Sequence, residues 1–295
     1  MNVLVVGATG YIGSAVCERL AATGHRVTAL ARNAAARAAL EKRGYTAVEG
    51  DVARPESLAN AAAGADAIVY AVELREGDTL AIDSAALSAL IAAAPAARFV
   101  YTSGCWVYGA TGDVPATEDS PLNPVALVAT RPARERIVLD GSAHPIVIRP
   151  GVVYGRGGGI PASFVASARS GGAAVVVGDG TTHWPCVHVD DLAGLYRAAI
   201  EKAAPHAIYN AADGIPYVVR DLAEAASRGA GCGGAVSLLP LEAARAQMGA
   251  FADALTTDQL LSSQRAARDL GWVPDALPAA QDLEIGSYSG QPPSA

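Results

Sequence analysis

Residues 2–13 read NVLVVGATGYIG, an apolar run that ends in a turn with three regularly spaced glycines. The run has the composition of a buried parallel strand, and the residues that follow it, up to Gly24, have helical spacing. Glycines at a strand–turn–helix junction let backbone N–H groups approach a pyrophosphate at the helix N-terminus. The stretch therefore predicts a dinucleotide-binding turn. Its predicted contact residues are Gly7, Thr9, Gly10, Tyr11, Ile12 and Gly13.

Apolar strand patterns alternate with helical patterns along the first hundred residues. Five strands are predicted before residue 105, and a sixth runs through HPIVIRP at residues 144–150. This alternation predicts an α/β fold with a doubly wound parallel Rossmann sheet. The last hundred residues alternate short helices with Gly and Pro breaks, which predicts a small C-terminal α/β substrate lobe.

The same patterns suggest where the two parts divide. We predict a nucleotide-binding domain over residues 1–155 with parts of 183–212, and a lobe over 156–182 and 213–285. The closing residues GSYSGQPPSA, at 286–295, are polar and rich in Gly, Pro and Ser. They predict a frayed end.

Composition argues against several classes of partner. The net charge is −7 and no block of Lys and Arg occurs, which argues against nucleic acids and anionic membranes. The four cysteines do not have metal-ligand spacing, so no metal site is predicted. The first residues already form a strand and no apolar run reaches the length of a membrane span. We therefore expect a cytoplasmic protein without a signal peptide.

The end of the second predicted strand bears on the choice of dinucleotide. An acidic residue there would bond the ribose 2′-hydroxyl of NAD, whereas this chain has Arg32. A cation suits the 2′-phosphate of NADP, so the sequence favours NADP(H) over NAD(H). The alternative is a solvated arginine at the start of a helix.

Motifs along nearly the whole chain resemble one superfamily. They are GATGYIGSAV at 7–16, EGDV at 49–52, RFVYTSG at 98–104, VIRPGVVYG at 147–155, HVDDLAGLY at 188–196 and LGWVP at 270–274. Together they resemble the extended short-chain dehydrogenases/reductases, the NAD-dependent epimerase/dehydratase family. The resemblance implies further cofactor contacts, at Asp51, Val52, Ala71, Val72, Thr102, Pro150, Val152 and Val153.

The chain departs from the family's catalytic set. That set is a Tyr, a Lys four residues later that lowers the pKa of the phenol, and a Ser or Thr that orients the substrate. The corresponding residues here are Leu127, Arg131 and Gly104, and no Tyr has a Lys four residues on. A shift of one residue would restore Ser103 as the hydroxyl. Arg131 could still hold the ribose or phosphate of the cofactor.

Other residues could replace the missing acid–base groups. The candidates are Ser103, Tyr108, His183, Glu73 and Tyr154. For each of them a structural role stays open, as a turn-packing tyrosine, a surface histidine or a solvated glutamate. Candidates for substrate contact are Arg75, Cys105, Trp106, Arg156 and Trp184, for which packing in the core or a loop is the alternative.

The sequence leaves three functions open. The first is an NADPH-dependent reductase of a small hydrophobic carbonyl, enone or imine in small-molecule biosynthesis, since the Trp-containing turn suits such a substrate. The second is a cyclase, isomerase or dehydratase with a structural nucleotide. The third is a non-catalytic NADP-sensing protein.

The resemblance also implies a homodimer held by a four-helix interface. One of those helices is predicted over residues 123–139. Pro132 lies inside this range and would kink the helix, which bears on whether the interface forms.

Overall fold

A computed structural model describes residues 1–74 and 78–289 of the chain. Arg75, a predicted substrate contact, and residues 290–295 of the predicted frayed end lie outside the described residues. Within the described ranges, no helix combines the length and the apolar character that crossing a bilayer requires.

The secondary structure alternates between strands and helices. The strands are β1 (Asn2–Val6), β2 (Arg26–Ala31), β3 (Thr46–Glu49), β4 (Ala67–Tyr70), β5 (Arg98–Thr102), β6 (His144–Pro150), β7 (Val152–Tyr154), β8 (Ala174–Val177), β9 (His183–His188), β10 (Ala207–Ala211), β11 (Pro216–Val218) and β12 (Val236–Leu239). The helices are α1 (Tyr11–Ala22), α2 (Ala34–Lys42), α3 (Ala59–Ala62), α4 (Thr79–Ala93), α5 (Arg131–Gly141), α6 (Ala162–Gly171), α7 (Val189–Lys202), α8 (Val219–Gly229), α9 (Leu241–Met248), α10 (Ala250–Leu255), α11 (Gln264–Leu270) and α12 (Ala279–Ile285). Short 3-10 helices cover Pro55–Ser57, Cys105–Tyr108 and Ala126–Val128.

The main sheet has seven parallel strands in the order β10-β6-β5-β4-β1-β2-β3. The strand order reverses at β1, which lies between β4 and β2. Helices α1 and α7 pack on one face of the sheet, and α4 and α5 pack on the other. The predicted α/β class and the doubly wound parallel Rossmann sheet are therefore confirmed.

The continuous apolar runs in the sequence form strands that are covered on both faces. Val3 and Val5 of β1 belong to the cluster with α1 and α7, whereas Leu4 and Val6 belong to the cluster with α4 and α5. Successive side chains of a strand point to opposite faces, so a strand between two layers of helices is apolar throughout.

A second group of elements forms its own hydrophobic cluster. Strands β7, β9 and β11 form a three-stranded sheet, and β8 pairs with β12. Their side chains pack with those of α6, α8 and α12 around Phe164, Trp184 and Leu222. We call this group the lobe. The boundaries predicted from the sequence for the two parts stay a prediction.

The helix predicted over residues 123–139 begins later, at Arg131. Residues Ala126–Val128 form a separate 3-10 turn, and Pro132 lies in the first turn of α5. A proline in the first turn lacks only an N–H that has no partner within the helix, and its fixed φ suits a helix start. The predicted kink is therefore wrong, because Pro132 starts the helix rather than interrupting it.

The predicted frayed end is wrong for residues 286–289. The side chain of Tyr288 lies in the core of the lobe, and the residue is only 2% exposed. Its hydroxyl donates to the carbonyl oxygen of Gly158 at 2.6 Å and accepts from the N–H of Gly155 at 2.8 Å. The small polar residues around Tyr288 predicted disorder, but one buried aromatic ring anchors the segment.

We expect Tyr288→Phe to destabilise the protein by about 1–3 kcal/mol, because it leaves a buried N–H and a buried carbonyl of the 155–158 loop without their partner. Urea unfolding measures the change. Ser289→Ala is the control, since the Ser289 hydroxyl contacts only the exposed carbonyl of Gly286. Equal stability of Tyr288→Phe and the wild type would contradict the anchoring role.

Candidate functional site

The turn between β1 and α1 leaves room for backbone only. Gly7 has a φ of 94°, and a Cβ on it would lie 2.3 Å from the carbonyl oxygen of Ala71. A Cβ on Gly13 would lie 2.1 Å from the carbonyl oxygen of Gly7. A side chain at either position would push α1 away from β1 and β4. Close packing therefore explains two of the three glycines.

The N-terminus of α1 carries no negative charge of its own. Gly10 precedes the helix without a side-chain cap, and the first turn contains no acidic residue. Thr9 and Gly10 are exposed, and Tyr11 and Ile12 are half-buried. The uncapped N–H groups at the start of this 12-residue helix can donate hydrogen bonds to a diphosphate. The positive end of the helix dipole also favours the negative charge of the diphosphate. The residues at this turn fit a dinucleotide.

Other predicted cofactor contacts lie at the same edge of the sheet. Arg32 directly follows β2 and is exposed, Asp51 and Val52 follow β3, and Ala71 and Val72 follow β4. The carboxyl ends of parallel strands meet at one edge, so these residues line up beside the β1 turn. Their roles as cofactor contacts stay predictions.

A cleft of about 220 Å³ lies at the carboxyl ends of β5 and β6. The predicted site residues that line it are Tyr11, Ile12, Ser103, Cys105, Trp106, Arg131, Pro150, Val152 and Val153. Sequence reasoning missed Val128 and Ile160, which also line it and are apolar residues with no chemical signal of their own. Among the described residues that line the cleft, only Arg131 carries a charge.

The Arg131 guanidinium is held from two sides. Its Nη1 donates to the carbonyl oxygen of Ser103 at 2.6 Å, and its Nη2 pairs with the carboxylate of Glu73. A Cβ on Gly104 would lie 2.9 Å from Nη1, which is closer than unbonded atoms approach. The arginine thus occupies space that a side chain at position 104 would need. Leu127, which the sequence aligns with the family's tyrosine, is 44% exposed and does not line the cleft.

The hydroxyl groups of Ser103 and Thr102 both have protein partners. Ser103 Oγ donates to Glu135 at 2.5 Å, and Thr102 shares a hydrogen bond of 2.6 Å with the Tyr196 hydroxyl. Glu135 in turn accepts two hydrogen bonds from Arg149, at 3.0 and 2.5 Å. Sequence reasoning did not find this buried ion pair. Its signal in the sequence was Arg149, a charged residue within the otherwise apolar and buried strand β6.

Tyr108 belongs to the same buried network and does not line the cleft. Its hydroxyl accepts from Arg149 Nη1 and donates to Asn210 Oδ1, each at 2.7 Å. Burial raises the pKa of the Tyr108 phenol above its ordinary value, although the Arg149 guanidinium opposes the shift. The structure therefore places Tyr108 behind the site, where it orients protein groups.

Tyr154 and Trp184 lie within the lobe rather than on the cleft. The Tyr154 hydroxyl donates to the carbonyl oxygen of Leu277 at 2.6 Å, and burial raises the pKa of its phenol well above the ordinary value. The Trp184 ring stacks on Phe164 at 5.6 Å, and its N–H donates to the carbonyl oxygen of Leu255 at 3.0 Å. Neither side chain lines the cleft.

His183 and Arg156 also have partners away from the cleft. His183 Nδ1 lies 3.0 Å from Asp258. Arg156 pairs with Glu18 of α1 and Asp190 of α7, each at 2.5 Å. Of the predicted acid–base and substrate residues, the structure brings Ser103, Cys105 and Trp106 to the cleft and places Glu73 beside Arg131.

The Cys105 thiol lines the cleft but is not poised as a nucleophile. Burial raises the pKa of Cys105 to about 12, and burial likewise raises the pKa of Cys17 to about 12. The pKa of Cys186 is raised well above its ordinary value for the same reason. A thiol reacts as its thiolate, which such shifts suppress near neutral pH.

We expect a thiol reagent at pH 8 to label the native protein only at Cys232, which is partly exposed. Cys17, Cys105 and Cys186 should react after unfolding in urea, when burial no longer raises their pKa values. Mass spectrometry of the labelled peptides makes the assignment. Rapid native labelling of Cys105 would contradict the suppressed thiolate.

We expect Gly104→Ala to destabilise the wild type and to be neutral or stabilising in an Arg131→Ala background. The backbone at Gly104 is extended, with a φ of 176°, so alanine suits its conformation. The unfavourable effect of the added Cβ comes from its close contact with the Arg131 guanidinium. A double-mutant cycle by urea unfolding should give a coupling energy of about 0.5–3 kcal/mol. Gly171→Ala, with no neighbour near its Cβ, is the control. Additive effects would disprove the contact.

The sequence pattern of the NAD dependent epimerase/dehydratase family matches residues 3–212, and the chain belongs to that family. Its Rossmann sheet is accordingly the NAD(P)-binding fold of short-chain dehydrogenases/reductases. The chain is an atypical member, and the replacement of the family's catalytic residues stays a prediction from the sequence.

Relatives match the chain over nearly its whole length. A 2-alkyl-3-oxoalkanoate reductase of Stenotrophomonas maltophilia is 29% identical over 93% of this chain and 95% of its own. A 3-diazoavenalumate denitrifying reductase of a Streptomyces species is 30% identical over 93% of this chain and 96% of its own. The crystal structure of human epimerase family protein SDR39U1 with NADPH is 26% identical, with a TM-score of 0.76, and the match covers 97% of this chain and 99% of that one. The chain thus resembles oxidoreductase-family enzymes.

Proposed function

We propose that the protein is an NADPH-dependent reductase of a small hydrophobic carbonyl, enone or imine, and that it acts in small-molecule biosynthesis in the cytoplasm. The observation that carries this proposal is the cleft at the ends of β5 and β6, whose lining is mostly apolar apart from one fixed guanidinium, that of Arg131. Such a lining suits an apolar substrate with one polar group.

The preference for NADPH is supported by charge at the adenosine end of the site. Arg32 is exposed and directly follows β2, at the position from which a cation reaches a 2′-phosphate. The human relative whose structure contains NADPH has the same fold. The chemistry that NADPH supplies when bound is hydride donation to an electrophilic carbon.

Arg131 is the group that the chain offers to the reacting substrate. When a carbonyl or imine is reduced, negative charge develops on its oxygen or nitrogen, and a preorganised cation stabilises that charge. The Ser103 carbonyl and the Glu73 carboxylate hold the guanidinium in one orientation before any substrate binds. Arginine stays charged at physiological pH, so Arg131 stabilises charge without donating a proton.

The proton for this reduction comes from water. The hydroxyls on the cleft wall are engaged: Tyr11 donates to the carbonyl oxygen of Gly155 at 2.7 Å, and Ser103 donates to Glu135. Burial also raises the pKa values of Tyr11 and Cys105. An isomerase or dehydratase needs a positioned acid and base, and the described residues that line the cleft offer none that titrates near neutral pH. This favours the reductase over the non-redox alternative.

We expect NADPH to bind at least tenfold more tightly than NADH, and Arg32→Ala to remove that preference by weakening NADPH alone. Calorimetric titration of both nucleotides measures it. Arg26→Ala is the matched control, because Arg26 is an exposed arginine at the other end of β2. Equal affinity of the wild type for both nucleotides would refute the NADPH preference, and absence of nucleotide binding would refute the reductase.

We expect Arg131→Met to lower kcat/KM for a carbonyl substrate by about 10²-fold or more, and Arg131→Lys to lower it much less. The loss of NADPH absorbance gives the rate. Binding of NADPH to each variant is measured separately, so that a loss of cofactor affinity is not mistaken for a loss of charge stabilisation. Wild-type kcat/KM in Arg131→Met would show that the guanidinium does not act on the substrate.

A further inference from the structure

A second apolar cavity lies within the lobe. Its volume is about 250 Å³, and its walls come from α6, β8, β9, α8, β12, α9 and α10. We call it the lobe pocket and define it by the lining residues Phe164, Val175, Trp184, Leu239, Phe251 and Leu255. Among the described residues that line it, none is charged.

The hydroxyls and the indole N–H in the wall of the lobe pocket are engaged by protein, whereas the amide of Gln247, which also lines it, belongs to an exposed residue. Ser163 Oγ donates to the carbonyl oxygen of Ile160 at 2.8 Å, and Ser167 Oγ donates to that of Ser163 at 2.8 Å. The Trp184 N–H donates to Leu255. A polar ligand would lose its hydration here and find few partners, whereas an apolar group loses nothing. The lining therefore selects an apolar occupant.

The lobe pocket and the cleft are separated by a shared wall. The Trp106 ring, which lines the cleft, packs edge-on against the ring of Phe251, which lines the lobe pocket, with 6.1 Å between ring centres. A second contact connects the walls of the two cavities. Ile160 lines the cleft, and Ser163 lines the lobe pocket and donates its hydroxyl to the Ile160 carbonyl oxygen. The two cavities thus lie on either side of one pair of aromatic rings.

We propose that the cleft and the lobe pocket form one substrate site, which takes a carbonyl or imine compound with a long apolar tail. This rests on the proposed function for the reacting end. The polar head lies in the cleft at Arg131, the tail passes the Trp106–Phe251 pair, and its end fills the lobe pocket. The Trp106–Phe251 pair determines which apolar tails reach the lobe pocket, because its two rings lie between the cavities.

The binding of 1-decanol and 1-butanol tests the tail site without any chemical reaction. Calorimetry should show that the wild type binds 1-decanol at least tenfold more tightly than 1-butanol, since only the longer chain reaches the lobe pocket. Leu239→Trp, which fills the lobe pocket, should abolish this preference. Leu238→Trp is the matched control, because Leu238 is the adjacent residue of β12, does not line the pocket and is 47% exposed.

A second variant tests the lobe pocket independently, in case Leu239→Trp does not fold. Val175 lines the lobe pocket and is partly exposed, so Val175→Phe should narrow the pocket with little effect on folding, and it should also reduce the preference for 1-decanol. Urea unfolding shows that each variant is folded. A preference for 1-decanol that persists in both pocket variants, or is absent from the wild type, overturns the proposal.

The same proteins separate this proposal from the proposed function. The reduction of butanal and decanal by NADPH is followed in parallel. If butanal is reduced but 1-decanol shows no preference, the tail site is wrong and the reductase stands. If 1-decanol binds as expected but no nucleotide binds, the reductase is wrong and the lobe pocket remains an apolar binding site.

Discussion

A buried ion pair between Glu135 and Arg149 connects the elements that form the back wall of the cleft. The two side chains are only 3% and 4% exposed, and two hydrogen bonds join them. Glu135 also accepts from the Ser103 hydroxyl, and Arg149 also donates to the Tyr108 hydroxyl. Such a pair is costly to break, because removing one partner leaves a buried charge uncompensated. The turn after β5 is thereby held against α5 and β6.

That rigid turn explains how the site can differ from its family and keep its shape. The hydroxyls of Ser103 and Tyr108 belong to the buried network, while the carbonyl oxygen of Ser103 accepts from Arg131 at the cleft. The absence of a side chain at Gly104 makes room for the guanidinium. Gly104 and Arg131, which the sequence aligns with two of the family's catalytic positions, thus form one steric arrangement.

The contacts of the candidate residues, rather than their chemical types, show which of them lie at the cleft and which have structural partners elsewhere. Tyr154, His183 and Arg156 are residue types that catalyse reactions, but their side chains contact Leu277, Asp258 and Glu18. Nothing local in the sequence distinguishes a catalytic tyrosine from one that donates to a backbone carbonyl 123 positions away. Long-range contacts decide such roles, and a single sequence does not encode them in any short pattern.

The sequence by itself determined the sheet, the glycine turn and the family, because strand burial, helical spacing and close backbone packing leave local patterns of residue type. It also singled out Gly104 and Arg131 as residues that depart from the family's predicted catalytic set. Only the tertiary structure decided that these two residues exclude each other's space, that Pro132 starts α5 and that Tyr288 anchors the chain end. Each of these depends on the packing of side chains from distant segments, which periodicity along the chain does not record.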